Sequence, residues 1–267
     1  MDAQLLILCG LTFLIHFVAT LAYAVRMAGV RTQRIAVSFA LFNILVLVSR
    51  TSNAFLAPLL AKRVEHHLVQ SVTSSLLGDF RWLFVSATVA TAVAACLIPT
   101  FQRVFCRAVL DFQEHRSLPR LLLRAFSKGG IQYLKYSLKV PTPPSLALLK
   151  AGQSVPIRLL VLNGLAVALW TVGVFAAIYA GYMIPQLRVT ASTLSSVING
   201  GATILLLLFI DPQLSVMTDE AVAGKLSEES YRRTIIGLAG SQLAGTVLAQ
   251  IVFVPAAMLI AFVAGIL

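Results

Sequence analysis

Asn43, Arg50 and Asn53 are spaced by 7 and 3 residues, which places one guanidinium and two amides on the same side of a helix. The stretch around them, from Ile35 to about Leu60, is otherwise almost entirely apolar. A charged side chain embedded in such a run must find a partner. The choices for Arg50 are an acid such as Asp79, helix-terminal carbonyls, an anionic ligand, or snorkelling to the nearer headgroup layer. A planar guanidinium grips phosphate oxygens with two parallel hydrogen bonds, so the chemistry on offer is anion recognition.

A second polar face lies nearer the start of the chain. Thr12, His16, Thr20 and Tyr23 follow at intervals of 4, 4 and 3 and lead to Arg26, with Arg31 and Arg34 just beyond. Counted from residue 4, His16 lies about 18 Å along a helix, near the middle of a hydrocarbon layer about 30 Å thick. Such a stripe either lines a cavity or supplies hydrogen bonds between helices. Ser192, Ser196, Asn199 and Thr203 repeat the theme later, in a run that closes at Asp211-Pro212. Gly237, Ser241 and Gly245, four apart, form a small-residue ridge suited to close helix packing.

Several chemistries are excluded. Gly224-Lys225 lacks the earlier glycine of a P-loop and is followed by Leu226 where Ser or Thr would hold magnesium. Glu65-His66-His67 is too compact for two metal ligands on one helical face and reads as a solvated loop. Cys9, Cys96 and Cys106 show no metal or redox spacing. No cofactor or metal is expected. Nucleic acid is not an expected partner despite a net charge of +11, because no nucleic-acid motif accompanies the charge.

The elements that must position these residues follow from composition. The chain has 267 residues, of which 58% are hydrophobic and 12% charged, against roughly 45–50% and about 25% in soluble domains. Six apolar runs fall near residues 4–25, 35–60, 82–102, 158–184, 189–210 and 234–262, and each is long enough to cross a bilayer. The fold class is therefore an all-α polytopic membrane protein with six transmembrane helices. Pro255 is placed to kink the last.

Sixteen of the 21 Lys and Arg residues lie in the first, third and fifth connections. The positive-inside rule then puts those connections in the cytoplasm and both termini outside. Three spans on each side of the central connection run in opposite senses, as in inverted-repeat transporters. The expected organisation is one three-helix repeat over 1–102, a basic connection over 103–156 and a second three-helix repeat over 157–267. At an offset of 156, Tyr23, Ala24, Met27 and Asn43 match Tyr179, Ala180, Met183 and Asn199, and the last pair would be related by the pseudo-two-fold axis. Within the connection, Leu118, Leu121, Leu122, Ala125 and Phe126 beside Arg120, Arg124 and Lys128 have the pattern of a basic amphipathic helix at the headgroup layer. Pro141, Pro143 and Pro144 would break it before the fourth span.

Deep arginines and amides on inward faces, a basic rim and no energy-coupling motif describe a pathway for an anionic amphiphile. The stretch Leu21-Ala-Tyr-Ala-Val-Arg-Met-Ala-Gly-Val-Arg-Thr-Gln-Arg-Ile-Ala-Val-Ser-Phe-Ala-Leu-Phe-Asn, followed by Leu47-Val-Ser-Arg-Thr-Ser-Asn53, resembles the Amj family of bacterial lipid II flippases, functional alternates to MurJ. Ile198-Asn-Gly-Gly-Ala-Thr-Ile, Phe209-Ile-Asp-Pro and Thr218-Asp-Glu are similar to that family as well. The resemblance implies translocation of lipid II, the undecaprenyl-pyrophosphate-linked disaccharide pentapeptide, from the inner to the outer leaflet of the cytoplasmic membrane. It supplies no list of binding residues. The candidate substrate-binding set, placed by the residue reading, is His16, Tyr23, Arg26, Arg31, Arg34, Asn43, Arg50, Asn53, Asp79, Asn199 and Asp211, with membrane lipids as further partners. The alternative is a membrane enzyme acting on polyprenyl pyrophosphate lipids, which would draw on Glu65, His66, His67 and Asp79.

Overall fold

The computed structural model describes residues 2–70, 76–115, 127–138 and 156–267. These form helices α1 (Ala3–Thr32), α2 (Ile35–Gln70), α3 (Leu76–His115), α4 (Lys128–Ser137) and α5 (Ile157–Met183). After a 3-10 turn at Pro185–Leu187 come α6 (Arg188–Thr193), α7 (Ser195–Leu205), a π-helical turn at Leu206–Ile210, α8 (Asp211–Val222) and α9 (Glu228–Ile266). Six helical segments are long and apolar enough to cross a membrane, the fifth being the composite 185–222.

The helices outrun the apolar stretches that announce them. The third run ends at Gln102, yet α3 continues to His115 through Arg103, Arg107 and Asp111. Its 40 residues reach about 60 Å, twice the hydrocarbon thickness, because a backbone ladder needs only helix-compatible side chains once it leaves the bilayer. Position 102 is thus mid-helix. α2 likewise carries Pro58 and runs on to Gln70, so Glu65-His66-His67 sits on a helix and not in a loop. His67 is buried there. α1 stops cleanly because Gln33 adopts the left-handed conformation and its N–H meets the Gly29 and Val30 carbonyls. Of the expected amphipathic helix in the central connection, residues 118–126 lie outside the described residues, as do Pro141, Pro143 and Pro144. Lys128 opens α4.

The fifth span does not close at Asp211-Pro212. Pro212 stands in the first turn of α8 and has no N–H to offer the helical turn before it. Its ring would also crowd the carbonyl four residues back in a regular helix, and the preceding turn is widened to π geometry. Just beyond that wide turn, Asp211 bonds Arg26 of α1 and Leu214 packs in a core cluster with Tyr23 and Met27.

Aromatic packing fixes one end of the bundle. Phe80 and Phe84 of α3, Phe175 and Tyr179 of α5 and Phe253 of α9 have neighbouring ring centroids 5.0–6.1 Å apart. Farther along, α5 and α9 cross closely. A Cβ on Gly245 would lie 2.5 Å from the Gly164 carbonyl oxygen and 2.9 Å from Val167 Cβ, so the small-residue ridge is a packing surface. The exposed faces carry Leu6, Leu47, Phe55, Trp82, Ile251 and Phe262, an apolar exterior suited to lipid.

Candidate functional site

A cavity of about 580 Å³ lies between α1, α2, α5, the fifth span and α9. Its walls bring together six of the sequence candidates: His16, Tyr23 and Arg26 from α1, Arg50 and Asn53 from α2, and Asp211 from the start of α8. The spacing of 4, 4 and 3 along α1 accounts for the first group, and the buried side of that helix includes Thr12, His16, Thr20 and Tyr23.

Arg26 is held from two sides. Its Nη2 donates to Asp211 Oδ1 at 3.0 Å, and its guanidinium stands 5.0 Å over the Phe39 ring centroid of α2. Arg50 is different: it is exposed on the cavity wall and makes no hydrogen bond or ion pair among the described residues. The cavity therefore presents two guanidinium groups against one carboxylate, with one guanidinium uncommitted.

Two groups that the sequence patterns do not single out complete the polar lining. Asn163 of α5 donates to the Ser241 hydroxyl at 2.8 Å and reaches the Leu238 carbonyl and the Tyr23 hydroxyl, each at 3.2 Å. Gln242 of α9 donates to Thr20 Oγ1 at 3.0 Å. Trp170 adds an aromatic wall. The only signal for Asn163 is that it is an amide within an apolar run, and Gln242 is hidden beside the glycine-serine ridge.

The other candidates lie elsewhere. Asn43 is exposed on α2 away from the cavity, and Arg34 is exposed before α2. Asn199 packs against α5 where Gly173 leaves room for it, since a Cβ on Gly173 would overlap the Asn199 amide. Its Oδ1 is buried with no partner among the described residues. Ser192, Ser196 and Thr203 bond to the backbone of their own segment. Arg31 pairs with Glu228 at 2.6 Å and belongs to a separate cleft.

Asp79 is no partner of Arg50. It accepts from Arg63 Nε at 2.7 Å, with His67 Nε2 at 3.5 Å, while Arg63 Nη1 also reaches Asp2 at 2.8 Å. Asp2 caps α1 by accepting from the Leu5 amide at 2.8 Å. That amide bond, and then Arg63, hold its carboxyl below the ordinary 3.8. This cluster ties the start of α1 to α2 and α3. Glu65 faces Arg188 at 3.6 Å, so the four residues available to an enzyme do not converge on one open site.

Six apolar spans whose polar groups meet in a cation-rich cavity define a polytopic membrane protein with an intramembrane polar site. The chain belongs to the Amj family: the family profile, described as "Alternate to MurJ", matches residues 11–264. It is 37% identical over 266 residues to the "Lipid II flippase Amj" of Bacillus subtilis (strain 168), which covers 97% of this chain and 96% of that protein. No solved structure matches the chain at a significant level.

Proposed function

We propose that this protein is a lipid II flippase of the bacterial cytoplasmic membrane, moving the undecaprenyl-pyrophosphate-linked precursor from the inner to the outer leaflet. The observation that carries the reading is Arg50, an uncommitted guanidinium on the wall of an intramembrane cavity, in a chain of the Amj family. Moving a pyrophosphate through hydrocarbon strips its hydration and costs several kcal/mol per charge even after relaxation. Arg50, Asn53 and the Tyr23–Asn163 pair supply hydrogen bonds in place of that water. Asp211 and the anion would compete for Arg26, which is released from its pair as the headgroup arrives.

The tail needs a path as well. α2 packs on α1 and touches α5, but it has no extended contact with residues 195–222. The cavity lies against this gap, so a polyprenyl chain can remain in lipid while its headgroup enters sideways. A volume near 580 Å³ suits a drug-sized ligand and is small for a disaccharide pentapeptide, so the fifth span must swing outward during passage. Its broken geometry at Leu194 and at Leu206–Ile210 supplies the flexible points.

The orientation drawn from basic residues, with both termini outside, places Arg26, Arg31 and Arg34 toward the cytoplasmic entrance. The packing order supports an inverted 3+3 repeat. In each half the first span packs extensively on both the second and the third, while the second and third barely touch. Between halves, the second span meets the fourth as the fifth meets the first. Asn43 and Asn199 would then be equivalent in position while differing in environment.

Reconstitution in liposomes with fluorescent lipid-linked substrate tests the function. Leaflet exchange without phosphate release is expected. Release of phosphate would instead establish the enzyme alternative.

A further inference from the structure

A second cleft, of about 420 Å³, opens at the other end of α1, where its last turn meets α3 and α4. Arg31, Arg103 and Arg107 converge on it, with Asp111 as the one carboxylate, Cys106 and Leu110 as an apolar edge, and Tyr133 as the wall contributed by α4. It shares no lining residue with the intramembrane cavity.

The three arginines are differently held. Arg31 donates its Nε to Glu228 at 2.6 Å, and the Gln102 amide oxygen accepts from its Nε and Nη1, leaving Nη2 uncommitted. Arg107 lies 4.6 Å over the Tyr133 ring, and its Nε is 4.0 Å from Asp111. Arg103 has no hydrogen bond or ion pair among the described residues, though it is only half-exposed. With Glu228 on Arg31 and Asp111 beside Arg107, one net positive charge remains, and the free guanidinium of Arg103 with the open edges of the other two forms a seat for phosphate oxygens.

The position selects the kind of phosphate. Arg103 follows directly on the third apolar run and Arg31 lies just past the first, so the cleft sits at headgroup depth at the basic end of the bundle. Leu110, exposed beside it, offers apolar surface where an acyl chain would begin. Basic pockets between helices at this depth suit anionic lipid headgroups.

We propose that the cleft formed by Arg31, Arg103, Arg107 and Tyr133 binds the phosphate of an anionic phospholipid, and so clamps α4 to α1 and α3. The site does not depend on the flippase reading, since it uses none of the cavity residues.

Native mass spectrometry of the full-length protein from detergent micelles tests it, with phosphatidylglycerol, phosphatidylcholine and inorganic phosphate as probes. Wild type is expected to retain phosphatidylglycerol saturably and phosphatidylcholine not at all. Arg103→Gln combined with Arg107→Gln should weaken retention roughly tenfold or more, and Tyr133→Leu should weaken it less. Arg50→Gln, in the other cavity, should leave it unchanged. Absence of saturable retention by wild type would overturn the proposal without recourse to any variant. Equal retention by Arg103→Gln/Arg107→Gln would overturn the site. Displacement of the lipid by inorganic phosphate at equal concentration would overturn the lipid as its source.

Discussion

Arg26 and Asp211, 185 residues apart in sequence, meet at 3.0 Å across the cavity and join the first span to the point where the fifth changes register. Asp211 follows directly on the π turn that ends at Ile210. Arg50, on the same cavity, has no equivalent partner among the described residues, so the two arginines are held differently.

Arg26→Ala and Asp211→Ala should each lower the rate of leaflet exchange. If the pair acts as a latch, the double replacement should do little more harm than the worse single one, a coupling of about 0.5–3 kcal/mol. Initial rates in proteoliposomes, at matched protein content, give this number. Additive losses would mean that the two side chains act separately.

Arg50→Lys keeps the charge and loses the paired donors. A phosphate ligand should lose activity roughly tenfold or more on this change, as hydrogen bonds to charged groups contribute about 1.5–3 kcal/mol. A snorkelling anchor would tolerate it. Complementation of cells lacking other lipid II flippases, with membrane abundance measured in parallel, separates the two.

Gly245→Leu should destabilise the crossing of α5 on α9, because even a Cβ meets the Gly164 carbonyl and Val167. Overpacking of this kind costs about 1–3 kcal/mol. Gly240→Ala is the control, since nothing lies within 4 Å of a Cβ there. Thermal unfolding in detergent should fall for the first and hold for the second.

Arg63→Ala leaves Asp79 buried with only His67 nearby, and loss of one partner of a buried pair costs about 3–5 kcal/mol. Asp2→Asn should be milder, since Asp2 is 58% exposed, and its effect should depend on pH. The Asp2 carboxyl is held below its ordinary 3.8, so its contribution is present above that value and lost as pH falls through the lower folded value. Wild type and Asp2→Asn should differ in unfolding temperature at neutral pH and converge well below 3.8.

The spans and one wall of the cavity were legible in the chain because uncharged runs and fixed spacings report them directly. Arg50 with Asn53, and His16 with Tyr23 and Arg26, share faces by helical geometry alone. Pairings across helices are not written in spacing. Asp79 was available to Arg50 by depth, but the packing of α3 beside α2 brings it to Arg63 instead. Asn163 and Gln242 are single amides without periodic neighbours, and only the crossing of α5 on α9 gives them partners. The helix ends were missed for a simpler reason: charge marks where hydrocarbon stops, not where a helix does.

The most direct test of the cavity as the headgroup route is photocrosslinking to lipid II carrying a label on its sugar headgroup. A photoreactive residue placed at Val46 or Ile210, both on the cavity wall, should capture the labelled headgroup. The same residue at Val93 or Ile251, which are exposed away from the cavity, should not. Capture at Val93 and Ile251 equal to that at Val46 and Ile210, in protein that still exchanges lipid II between leaflets, would contradict passage through the cavity.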